Sequence, residues 1–118
     1  MVVALKGFIF AVLLAASSIA TAAGLGFLAE SPLARFNEDD LKLMNAAMEK
    51  ALTATELGMR TSWVNDKTGS SGEVTPQRAF ESRGRPCREL RVVNRHRALE
   101  ASGVYTMCRE DGRWNPEQ

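Results

Sequence analysis

The chain contains two cysteines, Cys87 and Cys108, and no other pair of residues constrains its fold as much. If they face each other on antiparallel strands, every pairing between them follows by subtraction. Leu90 then meets Tyr105 and Val92 meets Gly103 on one face, with Met107 beside the stem of Arg88. On the other face the cysteines are joined by Glu89 with Thr106, Arg91 with Val104 and Arg95 with Glu100. The first face suits a core; the second is polar and carries an opposite-charge pair across the strands. A slip of one residue would turn Leu90 and Val92 outward while Tyr105 stayed inward. The turn is either the pair Arg97-Ala98, poor chemistry for a tight loop, or a wider loop over Arg95 to Leu99. Gly103 either marks a bulge or makes room for a neighbouring side chain. In an oxidising compartment this placement favours a disulfide over two buried thiols, worth on the order of 3 kcal/mol.

The N-terminus points to such a compartment. Lys6 is the only charge before Glu30, Phe8 to Ala16 is an apolar run, and residues 17–23 are small or weakly polar. Either Ala20-Thr21-Ala22 or Thr21-Ala22-Ala23 suits signal peptidase, which makes residues 1–23 a signal peptide. The rival is an uncleaved anchor, because Gly7 to Ala29 is uncharged and long enough to span a bilayer. Membrane association through residues 7–29 would follow, with Lys6 on the cytoplasmic side. Both readings export the remainder. The segment holds no cysteine, so a lipoprotein anchor is not expected.

Residues 24–36 read as a linker, broken by Ser31-Pro32-Leu33. An amphipathic helix is expected over 37–58. Asn37 fits the N-cap and Asp40 the reciprocal position of a capping box, while Phe36 and Leu41 occupy the staple positions. Glu38, Asp39 and Asp40 put negative charge in the first turn, and Gly58 suits a left-handed stop. Leu41, Met44, Met48, Ala51, Leu52 and Thr55 recur at helical spacing. Such a stripe packs on a core, or else docks on a neighbour.

From Thr61 the texture changes to short strands and turns. Ser62 to Asn65 is a brief strand with Trp63 inward, Asp66 to Gly72 a loop, and Glu73 to Phe80 a second strand interrupted or edged by Pro76. Ser82 to Pro86 forms a turn into the cysteine hairpin. Asp111-Gly112 forms a last tight turn, and Arg113-Trp114 returns as a terminal strand.

Trp63-x-Asn65, Gly69-x-x-Gly72-x-Val74-x-Pro76, Cys87-Arg88-Glu89 and Cys108-Arg109-x-Asp111-Gly112-x-Trp114 together resemble the C-terminal domain of the rickettsial-type 17-kDa surface antigen family. The likeness covers roughly residues 61–116. It implies a small β-rich domain in the periplasm or at the outer membrane of a Gram-negative bacterium, with no reaction attached. Many relatives carry a lipobox cysteine and a glycine-zipper segment. Here the acid-capped helix stands where the zipper is expected, and Asn94-Arg95-His96-Arg97 replaces a glycine-rich turn.

Catalytic chemistry finds little support. His96 is the only histidine, and a Cys-His nucleophile would need a free thiolate. Two cysteines and one distant histidine match no zinc spacing. Gly69-Ser70-Ser71-Gly72 is neither a phosphate loop nor a nucleophile elbow, and no spacing supports a Ser-His-Asp triad. Residues 60–118 hold eleven bases against eight acids, ten of the bases being arginine. Arg83, Arg85, Arg95 and Arg97 are therefore candidates for binding anions, while a solvated face with ion pairs such as Arg95–Glu100 is the plainer alternative.

The expected fold is α+β: an N-terminal signal or anchor helix, one amphipathic helix, and an antiparallel sheet of four or five strands over 61–116 with a Cys87–Cys108 disulfide. The expected protein is non-catalytic and exported, without cofactor or metal. It acts by binding or structural support among anionic lipid headgroups, peptidoglycan or a membrane protein complex, and not on nucleic acid. The alternative is an accessory subunit of an inner-membrane complex, tethered by an uncleaved N-terminal helix.

Overall fold

The structure, a computed structural model, describes residues 31–117. The expected signal or anchor over 1–23 and the beginning of the 24–36 linker lie outside the described residues. Among the described residues no helix is long and apolar enough to cross a membrane.

Chain order gives a 3-10 turn at Pro32–Arg35, helix α1 at Glu38–Thr53, then strands β1 (Thr61–Asn65), β2 (Ser70–Ser82), β3 (Arg85–His96), β4 (Leu99–Glu110) and β5 (Arg113–Pro116). The strands form one antiparallel meander in chain order. Part of the expected linker is therefore structured: Pro32 is buried, and Phe36 meets Trp63 edge-on at 5.1 Å between ring centres.

Helix α1 starts where its caps direct. Asn37 accepts from the Asp40 amide while the Asp40 carboxylate accepts from the Asn37 amide, both at 2.9 Å. Its end differs from expectation, falling at Thr53 rather than Gly58. Arg88 donates to the Ala51 carbonyl at 2.8 Å, satisfying one of the acceptors a helix end leaves open. Leu57 has no sheet to cover and stays 46% exposed, so a further turn would bury little. Gly58 does take positive φ, but its N–H goes to the Pro76 carbonyl at 2.7 Å.

Ala47, Ala51 and Leu52 pack on Trp63, Val74, Leu90, Val92 and Met107, with Met44, Met48 and Trp114 at the margin. Two alanines at the centre of the helix face let it approach the sheet closely. Leu41, expected within the stripe, stands at the exposed edge, as does Leu43; the buried face starts instead at Asp40.

The cysteine hairpin has the register obtained by subtraction, from Cys87 opposite Cys108 to His96 opposite Leu99. The tight form of its turn is the one adopted. Arg97 takes φ 53° and donates its amide to the Gly69 carbonyl at 2.9 Å, a contact that holds an otherwise costly conformation. Tyr105 is a correction: it is 56% exposed rather than inward. Its ring closes over Gly103, within 3.1 Å of where a Cβ would stand, so the glycine makes room for a neighbour.

Strand β2 starts at Ser70, which shortens the expected 66–72 loop to Asp66–Gly69. Pro76 sits beyond Val74, the partner of Thr61 where β1 begins, so its missing N–H leaves no β1 carbonyl without a donor. The ladder shifts between Pro76 and Arg78, a bulge that brings Phe80 opposite Cys87. The Arg83-Gly84 and Asp111-Gly112 tips both take positive φ at both residues, the twist that two-residue hairpins require.

Candidate functional site

The polar centre of the molecule is Asp40, which is fully buried. One carboxylate oxygen accepts from Asn65 Nδ2 at 2.8 Å and Thr68 Oγ1 at 2.7 Å. The other accepts from the Asn37 amide at 2.9 Å and Ser70 Oγ at 3.1 Å. Asn65 uses both ends of its amide, since its Oδ1 accepts from the Lys67 amide. The first turn of α1 is thus fastened to the β1–β2 turn. Burial raises the Asp40 pKa, but the hydrogen bonds from Asn37, Thr68, Asn65 and Ser70 together outweigh it and hold the carboxyl below its ordinary value of 3.8.

Ser70 extends this network. Its oxygen lies 2.8 Å from His96 Nδ1. A serine hydroxyl has one proton, and the Asp40 carboxylate can only accept, so Ser70 donates to Asp40 and His96 Nδ1 carries the proton facing Ser70. Aspartate, serine and histidine do meet, although their spacing gave no sign of it. Their order is wrong for nucleophilic catalysis, however. Serine stands between the other two, and its proton points away from the imidazole. Ser70 is also fully buried.

Trp63 is inward, as expected, and packs over Gly72. Gly69 takes φ 73° at the turn, with the Arg97 stem against it. Val74 and Pro76 are core residues of β2. Arg88 caps α1, Arg109 pairs with Trp114 across β4 and β5, and Asp111-Gly112 forms the tip between them.

Cys87 and Cys108 are bonded, with Cα atoms 4.0 Å apart and both residues buried. No free cysteine is left to act as a nucleophile.

The four candidate anion-binding arginines divide into two pairs. Arg83 and Arg85 lie at one end of the β2–β3 hairpin, and Arg95 and Arg97 at the other, roughly 30 Å away at about 3.3 Å per residue. Arg85 is paired with Glu110 and Glu117, and Arg95 with Glu73 and Glu100. Arg78 bridges Glu89 and lies over the Phe80 ring. Arg83 and Arg97 form no ion pair among the described residues.

Among the described residues, no three His, Cys, Asp or Glu side chains gather to hold a metal. The residues that sequence reasoning missed are Asp40 in its second role, Thr68, Ser70 and His96. Only the β2–β3 register, which sets Ser70 opposite His96, could have shown their meeting.

The sequence profile of the 17 kDa outer membrane surface antigen family matches residues 50–115. A 17 kDa surface antigen of Rickettsia bellii (strain RML369-C) is 33% identical over 83 residues, covering 69% of this chain and 52% of the relative. One from Rickettsia felis is 35% identical over 80 residues, covering 66% and 50%. The chain therefore spans about half the length of the curated relatives it matches. No solved structure matches it.

Proposed function

This chain belongs to the 17 kDa outer membrane surface antigen family, and on that premise we propose that it is a non-catalytic, exported cell-envelope protein that acts by binding. The observation that carries the non-catalytic reading is the Ser70 hydroxyl, buried and committed to Asp40, in a molecule whose two cysteines are bonded to each other. The polar groups that resemble catalytic ones are spent on holding α1 to the sheet. What is left for function is surface: arginine-bearing hairpin ends and the sheet face that α1 does not cover. The natural contacts of such a surface in an envelope are anionic headgroups, peptidoglycan carboxylates or an acidic membrane protein.

The test is the fate of the full chain in a Gram-negative cell. Fractionation should recover it with the envelope, and thiol labelling without reductant should modify neither Cys87 nor Cys108. Recovery as reduced cytosolic protein would overturn the reading. Charge reversal at Arg83 and Arg85 together should lower retention on isolated sacculi or anionic vesicles at low salt, where exposed charges act most strongly. Unchanged retention would remove that hairpin end from the binding surface.

A further inference from the structure

Helix α1 lies mainly across β1 and β2, and among the described residues it leaves much of the β4–β5 half of the same sheet face uncovered. Two depressions occupy the open half. One, of about 640 Å³, has Leu33, Met44, Val92 and Tyr105 in its wall. The other, of about 660 Å³, lies between Lys42 and Glu49 of α1 and Arg113 and Trp114 of β5. Each falls within the roughly 300–1,000 Å³ range of small-molecule sites. Met48 and Met107 stand in both walls, so the two depressions adjoin there and make a trough with a more apolar and a more polar end.

The two ends together specify an occupant. Leu33 and Tyr105 keep 48% and 56% of their surface exposed at the apolar end, a patch that calls for apolar cover. The walls there are rich in methionine, whose unbranched thioether adapts to a flexible chain. Glu117, at the rim of this end, is paired with Arg85. Asn94 Oδ1 is shielded in the same wall and has no partner among the described residues, a demand met by a water or a hydroxyl brought in with the occupant. At the polar end neither Lys42 nor Arg113 forms an ion pair among the described residues. Set against Glu49, they leave one net positive charge, the complement of a monoanion rather than of a phosphate dianion. Arginine offers a carboxylate two parallel donors, and lysine adds a point charge beside it.

We propose that this trough binds a long-chain carboxylate of the fatty-acid class, its tail along Met44, Met48 and Met107 and its head group between Lys42 and Arg113. The assignment rests on the reading that the protein acts by binding, and it gives that binding a ligand. Trp114, beside the head-group end, supplies an optical signal.

The experiment titrates the purified full chain with the fluorescent fatty acid cis-parinaric acid, following energy transfer from tryptophan. The expected result is saturable binding at one site per chain, displaced by palmitate and at least about tenfold less well by the uncharged alcohol of equal chain length, a difference of about 1.4 kcal/mol. Lys42→Glu with Arg113→Glu should weaken parinarate binding by at least about tenfold, with the thermal midpoint unchanged because both side chains are exposed. Tyr105→Ser should weaken acid and alcohol alike. Absence of saturable binding, or equal affinity for acid and alcohol, overturns the proposal. Dimerisation that Tyr105→Ser abolishes overturns it in favour of a second copy. Envelope recovery of the Lys42→Glu, Arg113→Glu variant is read separately, so loss of this ligand leaves the broader reading standing.

Discussion

The indole of Trp63 lies over Gly72, its cross-strand partner, and occupies the space where any other residue would carry a side chain. A Cβ at Gly72 would fall against Trp63 Nε1, 2.9 Å from its Cε2 and 2.7 Å from the Val93 carbonyl oxygen. The backbone at Gly72 needs no positive φ, so the requirement for glycine is one of space. Gly72→Ala should destabilise the domain by about 1–3 kcal/mol, the cost of overpacking a core position. Denaturant unfolding measures it; a loss below about 0.5 kcal/mol would mean that the indole moves aside freely.

Asp40 carries the pH dependence. Its carboxyl sits below its ordinary value in the folded state, so the unfolded chain binds the extra proton and stability rises with pH through this range. The contribution is fully present above the unfolded value near 3.8 and is lost as pH falls through the folded value beneath it. Asp40→Asn should therefore cost stability at pH 7 and flatten the acid limb. The loss at neutral pH should be about 1–3 kcal/mol, because an amide cannot accept from all four donors. Parallel acid limbs for the two proteins would place the responsible proton elsewhere.

These two residues show where a sequence stops being legible. The capping box at Asn37 and Asp40 is local, three residues apart, and can be read directly. The other partners of Asp40, Asn65, Thr68 and Ser70, arrive through a turn twenty-five and more residues away. No periodicity encodes that meeting. The hairpin register was legible for the opposite reason: two cysteines and an unbulged ladder leave one arithmetic solution. Tyr105 fails the same arithmetic because facing the core side of a sheet buries a residue only where something covers it, and the cover that buries Met107 on β4 does not reach Tyr105. The helix end was misread because its terminator is not Gly58 but Arg88, a side chain on β3.

Arg88 accordingly has a testable structural role. It donates to the Ala51 carbonyl at the negative end of α1, a charge-assisted hydrogen bond aided by the helix dipole. Arg88→Ala should cost about 1.5–3 kcal/mol, and Arg88→Lys should restore part of it through charge alone. Hydrogen exchange would localise the loss, with amides in the last turn of α1 exchanging faster while those of β3 keep their protection. Uniform acceleration through the whole domain would show that Arg88 supports the sheet rather than the helix end.

The disulfide offers the sharpest separation between architecture and stability. Cys87 and Cys108 close a loop with a sequence separation of 21, and cross-linking such a loop removes about 3 kcal/mol of chain entropy from the unfolded state. The strands it joins are also paired continuously from the bond down to His96 opposite Leu99, and β3 is held by β2 on its other side. Cys87→Ser with Cys108→Ser should therefore lower stability by roughly that amount, and more if the paired hydroxyls find no partners in so buried a place. The register should nevertheless persist, because Leu90 and Val92 can face the core in only one phase of the ladder. Cross-strand proton contacts between Arg91 and Val104 in the double variant would measure this directly. Their loss with helical signal retained would mean that the bond, rather than the alternation of side chains, sets the pairing.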